Sequence, residues 1–189
     1  MNVQFSPPDI TEEEIQSVAE VLRSGWITTG PKTKEFERRI AEYCRTSKAV
    51  CLNSATACLE MTLRVMGVGE GDEVITTATC SCICHTGATP VLVDTLQGSF
   101  EMDPEQAAAA VTERTKAIIC VDLAGIPYSF YDRIFQITEE KKALFRPANE
   151  RQRALGRVVV MADAAHAFGA SANGMMCGQI ADFTCFSFH

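Results

Sequence analysis

The segment that decides the fold, residues 158–166, reads VVVMADAAH, an apolar run that ends in an aspartate. A short, continuous apolar run is typical of a strand buried on both faces, as in a parallel sheet. Asp163 then stands where the strand ends, and a lone carboxylate is costly to bury there without a partner. The segment therefore predicts a buried strand with a carboxylate at its carboxyl end.

Further short apolar runs alternate with helical patterns along the chain. Thr11 and Glu14 form a capping box that is followed by a helix-spaced apolar face. A second helix is expected at about residues 32–44, and Asp103 with Pro104 begins another. The alternation predicts an α/β fold, a mostly parallel sheet with helices on both faces. The other expected strands are residues 49–52, 73–77, 89–93, 116–121 and 183–188.

The composition excludes several classes of function. The formal net charge is -7 over 189 residues, which disfavours a nucleic-acid partner. No apolar run approaches the ~20 residues needed to cross a membrane. Residues 1–8 also lack the basic start and apolar core of a signal peptide. We expect a cytoplasmic protein that acts on neither nucleic acid nor membrane.

Nine cysteines are present without a repeated spacing, and we expect them to be reduced. Cys80, Cys82, Cys84 and His85 could together bind zinc or copper. However, alternate residues of a strand share one face and do not close a tetrahedron of ligands. Structural cysteines are therefore favoured over a metal site, which stays open as the less favoured interpretation.

Two strand ends carry candidate functional residues, because ligands of parallel sheets bind beyond the carboxyl ends of strands. Ser54, Ala55 and Thr56 begin a helix directly after an expected strand, which suits either an ordinary helix cap or a phosphate site. Asp163 suits either a structural cap or the partner of a protonated pyridine nitrogen, as in enzymes that use pyridoxal 5′-phosphate (PLP). His166 either contacts such a cofactor or fills a polar gap.

Six ordered motifs resemble the DegT/DnrJ/EryC1/StrS family of PLP-dependent sugar aminotransferases, and together they cover nearly the whole chain. No single one of them is specific. The motifs are GWITTGP at 25–31, NSATA at 53–57, GDEVIT at 71–76, GATPVLVD at 87–94, DAAHAFG at 163–169 and CFSFH at 185–189.

The resemblance implies a fold-type-I large domain, of which residues 1–189 are the N-terminal portion, with PLP bound at a homodimer interface. It assigns Ala55, Thr56 and Ser187 to the cofactor phosphate and Asp163 to the pyridine nitrogen. His166 matches a position beside the phenolic oxygen of the ring. The implied reaction moves an amino group from an amino acid such as glutamate to a nucleotide-linked keto-sugar, as in polysaccharide biosynthesis.

The chain departs from the family pattern in three ways. It ends at His189, before the position of the lysine that binds the cofactor covalently. No aromatic residue lies between Glu73 and Gly87, where the family places a ring that stacks on the cofactor. The resemblance further implies that residues 1–189 lack the C-terminal half of the family, with its small domain. We therefore expect this chain to be inactive by itself.

Two alternatives stay open beside the aminotransferase. One is a PLP-dependent dehydratase of keto-deoxysugars from the same family, in which histidine replaces the lysine. The other is a degenerate remnant without enzymatic activity that binds PLP or a partner weakly.

Overall fold

The computed structural model describes residues 8–189. The prediction that residues 1–8 are not a signal peptide therefore concerns a segment of which only residue 8 is described. The described chain divides into two units. One unit consists of residues 8–43 and 47–51, and the other of residues 44–46 and 52–189.

The smaller unit contains two helices, α1 (Glu12–Ser24) and α2 (Pro31–Tyr43). The predicted capping box is confirmed, because the side chain of Thr11 accepts a backbone N–H of the first turn and the Thr11 amide donates to Glu14 at 2.7 Å. Gly25 ends α1 in the left-handed region, with φ 73°, where glycine adds no steric cost. Helix α2 begins one residue before its predicted start.

The predicted strand at residues 49–52 is wrong. These residues pair with no strand of either sheet, and the side chain of Val50 is 62% exposed. The amide of Cys51 donates instead to the carboxylate of Glu37 at 3.0 Å, which replaces a strand partner. Four apolar residues are too few for periodicity to separate a strand from an extended loop.

The larger unit is built on a five-stranded sheet in which every neighbouring pair is parallel, as predicted. The strands are β1 (Glu73–Thr76), β2 (Thr89–Leu92), β3 (Thr115–Val121), β4 (Val159–Ala164) and β7 (Phe183–Phe186). Their order across the sheet is β2-β1-β3-β4-β7, so β2 and β7 are the edges. Pro90 lies in the edge strand β2, a position that tolerates the loss of a backbone N–H.

Helices cover both faces of this sheet, and each face has its own apolar core. Successive residues of β3 point to opposite faces and so belong to different cores. Ile119 packs with helices α3 (Ala55–Val65) and α4 (Ser81–Thr86) on one face. Ile118 packs with helices α5 (Pro104–Ala110) and α6 (Tyr131–Glu140) on the other. Both isoleucines are fully buried. The predicted arrangement of helices on both faces is therefore confirmed.

Helix α4 replaces the strand considered for Cys80, Cys82 and Cys84. Because a helix turns these positions apart, Cys82 is buried whereas Cys84 is exposed. A further helix, α7 (Glu150–Leu155), precedes β4. The antiparallel hairpin β5 (Ser171–Ala172) and β6 (Met175–Met176) lies between β4 and β7.

Candidate functional site

A cavity of about 490 Å³ opens at the carboxyl ends of the central strands in the larger unit. It brings together three of the six predicted site residues, namely Ala55, Thr56 and Asp163. Ser54, His166 and Ser187 are not among its lining residues. The lining consists of Ala55, Thr56, Leu59, Ala78, Thr79, Cys80, Ser81, Cys82, Val121, Asp163 and Ala165.

The first turn of α3 forms one wall of the cavity. The Ser54 hydroxyl accepts the N–H of Ala57 at 3.1 Å, so this side chain caps the helix. The amides of Ala55 and Thr56 have no acceptor within the helix, because the first amides of any α-helix lack one. Together with the positive end of the helix dipole they can bind an anion such as a phosphate.

Asp163 lies one residue before the end of β4 and is half-buried. Its Oδ2 atom accepts the hydroxyl of Thr79 at 2.8 Å, and its Oδ1 atom accepts the amide of Ala165 at a long 3.4 Å. No lysine, arginine or histidine in residues 8–189 forms an ion pair with this carboxylate. The carboxylate of Asp163 is therefore available to a cationic ligand in the cavity.

His166 and Ser187 lie near the same strand ends but outside the cavity lining. His166 is exposed, three residues after Asp163. Ser187 is half-buried and directly follows β7, which ends at Phe186 rather than at the predicted residue 188. The roles assigned to both residues remain predictions.

Sequence reasoning missed two residues that adjoin Asp163. Thr79 follows β1, and no pattern in its loop marks it. Asp122 follows β3 directly, and its amide donates to the carbonyl of Asp163 at 2.9 Å. Asp122 carries the same signal that marked Asp163, a carboxylate after a buried apolar run, and could have been found by it.

The cysteines of segment 80–84 differ in their surroundings. Cys80 is half-buried in the cavity wall, and the thiol of Cys82 donates to the carbonyl of Thr79 at 3.5 Å. Burial raises the pKa of Cys82 to about 11, so its thiol is protonated at neutral pH. In the part of the chain that the structure describes, no three His, Cys, Asp or Glu side chains group as metal ligands would.

Lys116, the one lysine in the sheet, lies near its opposite end. Its Nζ atom donates to the carbonyls of Glu113 and Arg146 at 3.1 and 2.7 Å and lies 3.8 Å from Asp72. In the sheet, Asp163 pairs with Val121 of β3. Lys116 lies five positions before Val121 on the same strand, which places it about 17 Å away at the usual rise of a strand. Lys116 therefore cannot serve the cavity.

No helix in residues 8–189 combines the length and apolarity that a membrane span requires.

Comparison with known proteins gives a consistent family. The profile of the DegT/DnrJ/EryC1/StrS aminotransferase family matches residues 8–189. The spore coat polysaccharide biosynthesis protein SpsC of Bacillus subtilis is 40% identical over 190 residues, covering 98% of this chain and 45% of SpsC.

Solved structures share the fold as well. The PLP form of Spr1654, a candidate sugar aminotransferase of Streptococcus pneumoniae, is 56% identical with a TM-score of 0.97, over 100% of this chain and 49% of Spr1654. The aminotransferase PseC of Helicobacter pylori, involved in the biosynthesis of pseudoaminic acid, is 27% identical with a TM-score of 0.79, over 98% of this chain and 47% of PseC. The larger unit thus has the fold of fold-type-I PLP aminotransferases, and the chain spans about half the length of these relatives.

Proposed function

The chain belongs to the DegT/DnrJ/EryC1/StrS aminotransferase family, and on that premise we propose that it binds PLP in the cavity at the carboxyl end of its sheet. The activity proposed for the whole protein is transfer of an amino group from an amino acid, such as glutamate, to a nucleotide-linked keto-sugar. A homodimer and a cytoplasmic location are part of the same proposal.

One observation carries the cofactor proposal. One cavity contains the carboxylate of Asp163, which forms no ion pair with any cationic side chain of residues 8–189. The same cavity contains the amides of Ala55 and Thr56, which have no acceptor within helix α3. PLP carries the two complementary groups, a ring nitrogen that can be protonated and a phosphate. The residues present therefore fit the cofactor at both ends.

Each residue has a physical task in this proposal. The amides of Ala55 and Thr56, with the Thr56 hydroxyl, bind the phosphate. Asp163 holds a proton on the ring nitrogen. The protonated ring supplies an electron sink for reactions at the amino group of the substrate. Ser187 is proposed to reach the phosphate from the other side, and His166 the phenolic oxygen.

The covalent step needs a lysine, and none lines this cavity in residues 8–189. We therefore propose that the lysine is not one of the six in the printed sequence. An alternative without catalysis is favoured by one observation. No aromatic side chain among residues 8–189 lines the cavity, so none of these residues provides a ring to stack on the cofactor. In that case the chain is a weak binder of PLP.

The test is the affinity of the chain for pyridoxamine 5′-phosphate, which has the same ring and phosphate but no aldehyde that could react with lysines. Asp163→Asn should weaken binding by about tenfold to a hundredfold, because an ionic hydrogen bond to the ring nitrogen is lost. Asp132→Asn, the same change at an exposed position on α6, serves as the control. Equal affinity of wild type and Asp163→Asn, or no binding by the wild type, would overturn the proposal.

A further inference from the structure

The side chain of Thr79 reaches across the sheet to Asp163. Thr79 lies three residues beyond the end of β1, and β3 separates β1 from β4 in the sheet. Its Oγ1 atom nevertheless donates to Oδ2 of Asp163 at 2.8 Å, a bond between residues 84 positions apart. The segment after β1 therefore crosses the carboxyl end of β3 to make this contact.

The Thr79 backbone is held by two buried neighbours. The hydroxyl of Thr76, which is fully buried, accepts the amides of Ala78 and Thr79 at 3.5 and 3.4 Å. The buried thiol of Cys82 donates to the Thr79 carbonyl at 3.5 Å. The two N–H···O bonds are long, whereas 3.5 Å is an ordinary distance for a thiol donor. Together the three contacts restrain the segment from both sides and give the Thr79 hydroxyl a defined place.

The hydroxyl of Thr79 determines how the carboxylate of Asp163 is oriented. The plane of a carboxylate turns easily about its terminal torsion, which has only broad preferences. The carboxylate of Asp163 accepts two hydrogen bonds from residues 8–189. The one from Thr79 is short, whereas the amide of Ala165 is 3.4 Å away and constrains Oδ1 weakly. Removing the hydroxyl would leave the carboxylate without its main orienting contact.

We infer that Thr79 is a positioning residue, whose hydroxyl fixes the plane of the Asp163 carboxylate so that its remaining acceptor positions meet the protonated ring nitrogen of the cofactor. This inference rests on the proposed function. Thr79 itself lines the cavity, but its hydroxyl is directed to Asp163, and its contribution to binding is exerted through that residue.

The experiment measures the affinity of the 189-residue chain for two ligands. One is pyridoxamine 5′-phosphate, and the other is its analogue in which a C–H group replaces the ring nitrogen. Thr79→Val preserves shape but removes the donor, Thr79→Ser keeps the donor, and Thr89→Val is the same change at an exposed site in β2. Asp163→Asn reports separately on the proposed function.

Thr79→Val should weaken binding of pyridoxamine 5′-phosphate about tenfold and leave the affinity for the analogue unchanged. Thr79→Ser and Thr89→Val should bind both ligands as the wild type does. Equal weakening for both ligands would show a merely structural role and overturn the inference, as would wild-type affinity in Thr79→Val while Asp163→Asn is impaired. If Asp163→Asn also binds normally, or if the wild type does not bind, the proposed function fails and the inference with it.

Discussion

Asp122 is a buried carboxylate, 2% exposed, at the carboxyl end of β3. It accepts the Tyr128 amide at 2.9 Å and the Tyr131 hydroxyl at 2.8 Å, and the thiol of Cys177 lies 3.7 Å from its other oxygen. Burial raises the pKa of Asp122 above its ordinary value of 3.8, although these hydrogen bonds oppose the shift. The residue supports the strand end beside Asp163 rather than facing the cavity.

The raised pKa predicts a stability effect that depends on pH. The folded chain holds the Asp122 proton more tightly than the unfolded chain does, so this group stabilises the fold fully below the unfolded pKa. That contribution is lost as the pH rises through the folded pKa. Asp122→Asn removes this titration. The free energy of unfolding of the variant should therefore rise relative to that of the wild type as the pH increases from the unfolded pKa, about 3.8, through the folded pKa.

Urea denaturation of both proteins at several pH values measures this difference. Asp132→Asn, on the exposed surface of α6, is the control. The difference in free energy of unfolding between this variant and the wild type should not show the rise with pH that is expected for Asp122→Asn. A constant difference between Asp122→Asn and the wild type would mean that the folded and unfolded pKa values of Asp122 are alike.

Individual residues of the site differed in how well the sequence predicted them. Asp163 was predictable because a carboxylate after a buried strand is a local signal. Thr79 was not, because its importance arises from a contact 84 positions away, between strands that are not neighbours. Periodicity and spacing contain no information about such a crossing.

At the scale of elements, helix starts are the features that the sequence specifies most directly. Ser54, Asp103 and Asn149 each cap a helix with a side-chain oxygen that accepts an amide of the first turn. Two of these caps, Ser54 and Asp103, were predicted from residue type and position alone. A cap is a local interaction, so it can be identified without knowledge of the sheet.

Removal of the Ser54 cap should destabilise the chain by a predictable amount. Ser54→Ala leaves the amide of Ala57 without its acceptor and should lower the free energy of unfolding by about 1 kcal/mol. Ser54→Asn, which retains a capping oxygen, should stay close to the wild type. Chemical denaturation checks both variants, and equal stability of Ser54→Ala and Ser54→Asn would contradict the assignment.

Elements without a local signal were harder to predict. Residues 49–52 have the composition of a strand, but no strand of either sheet pairs with them. Whether a neighbouring strand is present depends on the tertiary structure, which the local sequence does not show. Helix α4 was obscured by cysteines at alternate positions, which imitate the periodicity of a strand. The hairpin around Asn173 and Gly174 is different, because an Asn-Gly pair is a strong local signal for such a turn and could have predicted it. In the structure both residues adopt positive φ, 51° and 78°.

Across the whole larger unit, the two ends of the sheet have different tasks. The carboxyl end holds the cavity, whereas polar residues at the amino end stabilise the fold. There Glu73 accepts the hydroxyl of Thr112 and forms an ion pair with Arg114, both at 2.5 Å, beside the buried Lys116. The alternation of strands and helices predicts the parallel sheet and candidate residues at its carboxyl end, because parallel strands place all their carboxyl ends on one side. It does not predict the polar contacts at the amino end.

This division predicts opposite effects for substitutions at the two ends. Lys116→Ala leaves two carbonyls without their donor and should lower the free energy of unfolding by about 2 kcal/mol. The affinity of the folded variant for pyridoxamine 5′-phosphate should not change. Asp163→Asn should lower the affinity and leave the free energy of unfolding nearly unchanged. If Lys116→Ala lost as much affinity as Asp163→Asn, the two ends of the sheet would not have separate tasks.

The edge strands of the sheet differ in their tendency to recruit further strands. Pro90 deprives β2 of one backbone donor, so a foreign strand would find an interrupted row of hydrogen-bonding groups along that edge. Strand β7, with the sequence FTCF, has no such interruption, and Phe183 on it is 38% exposed. Residues 1–189 prepared alone should therefore begin to self-assemble along β7, and a proline or lysine placed in that strand should reduce the assembly.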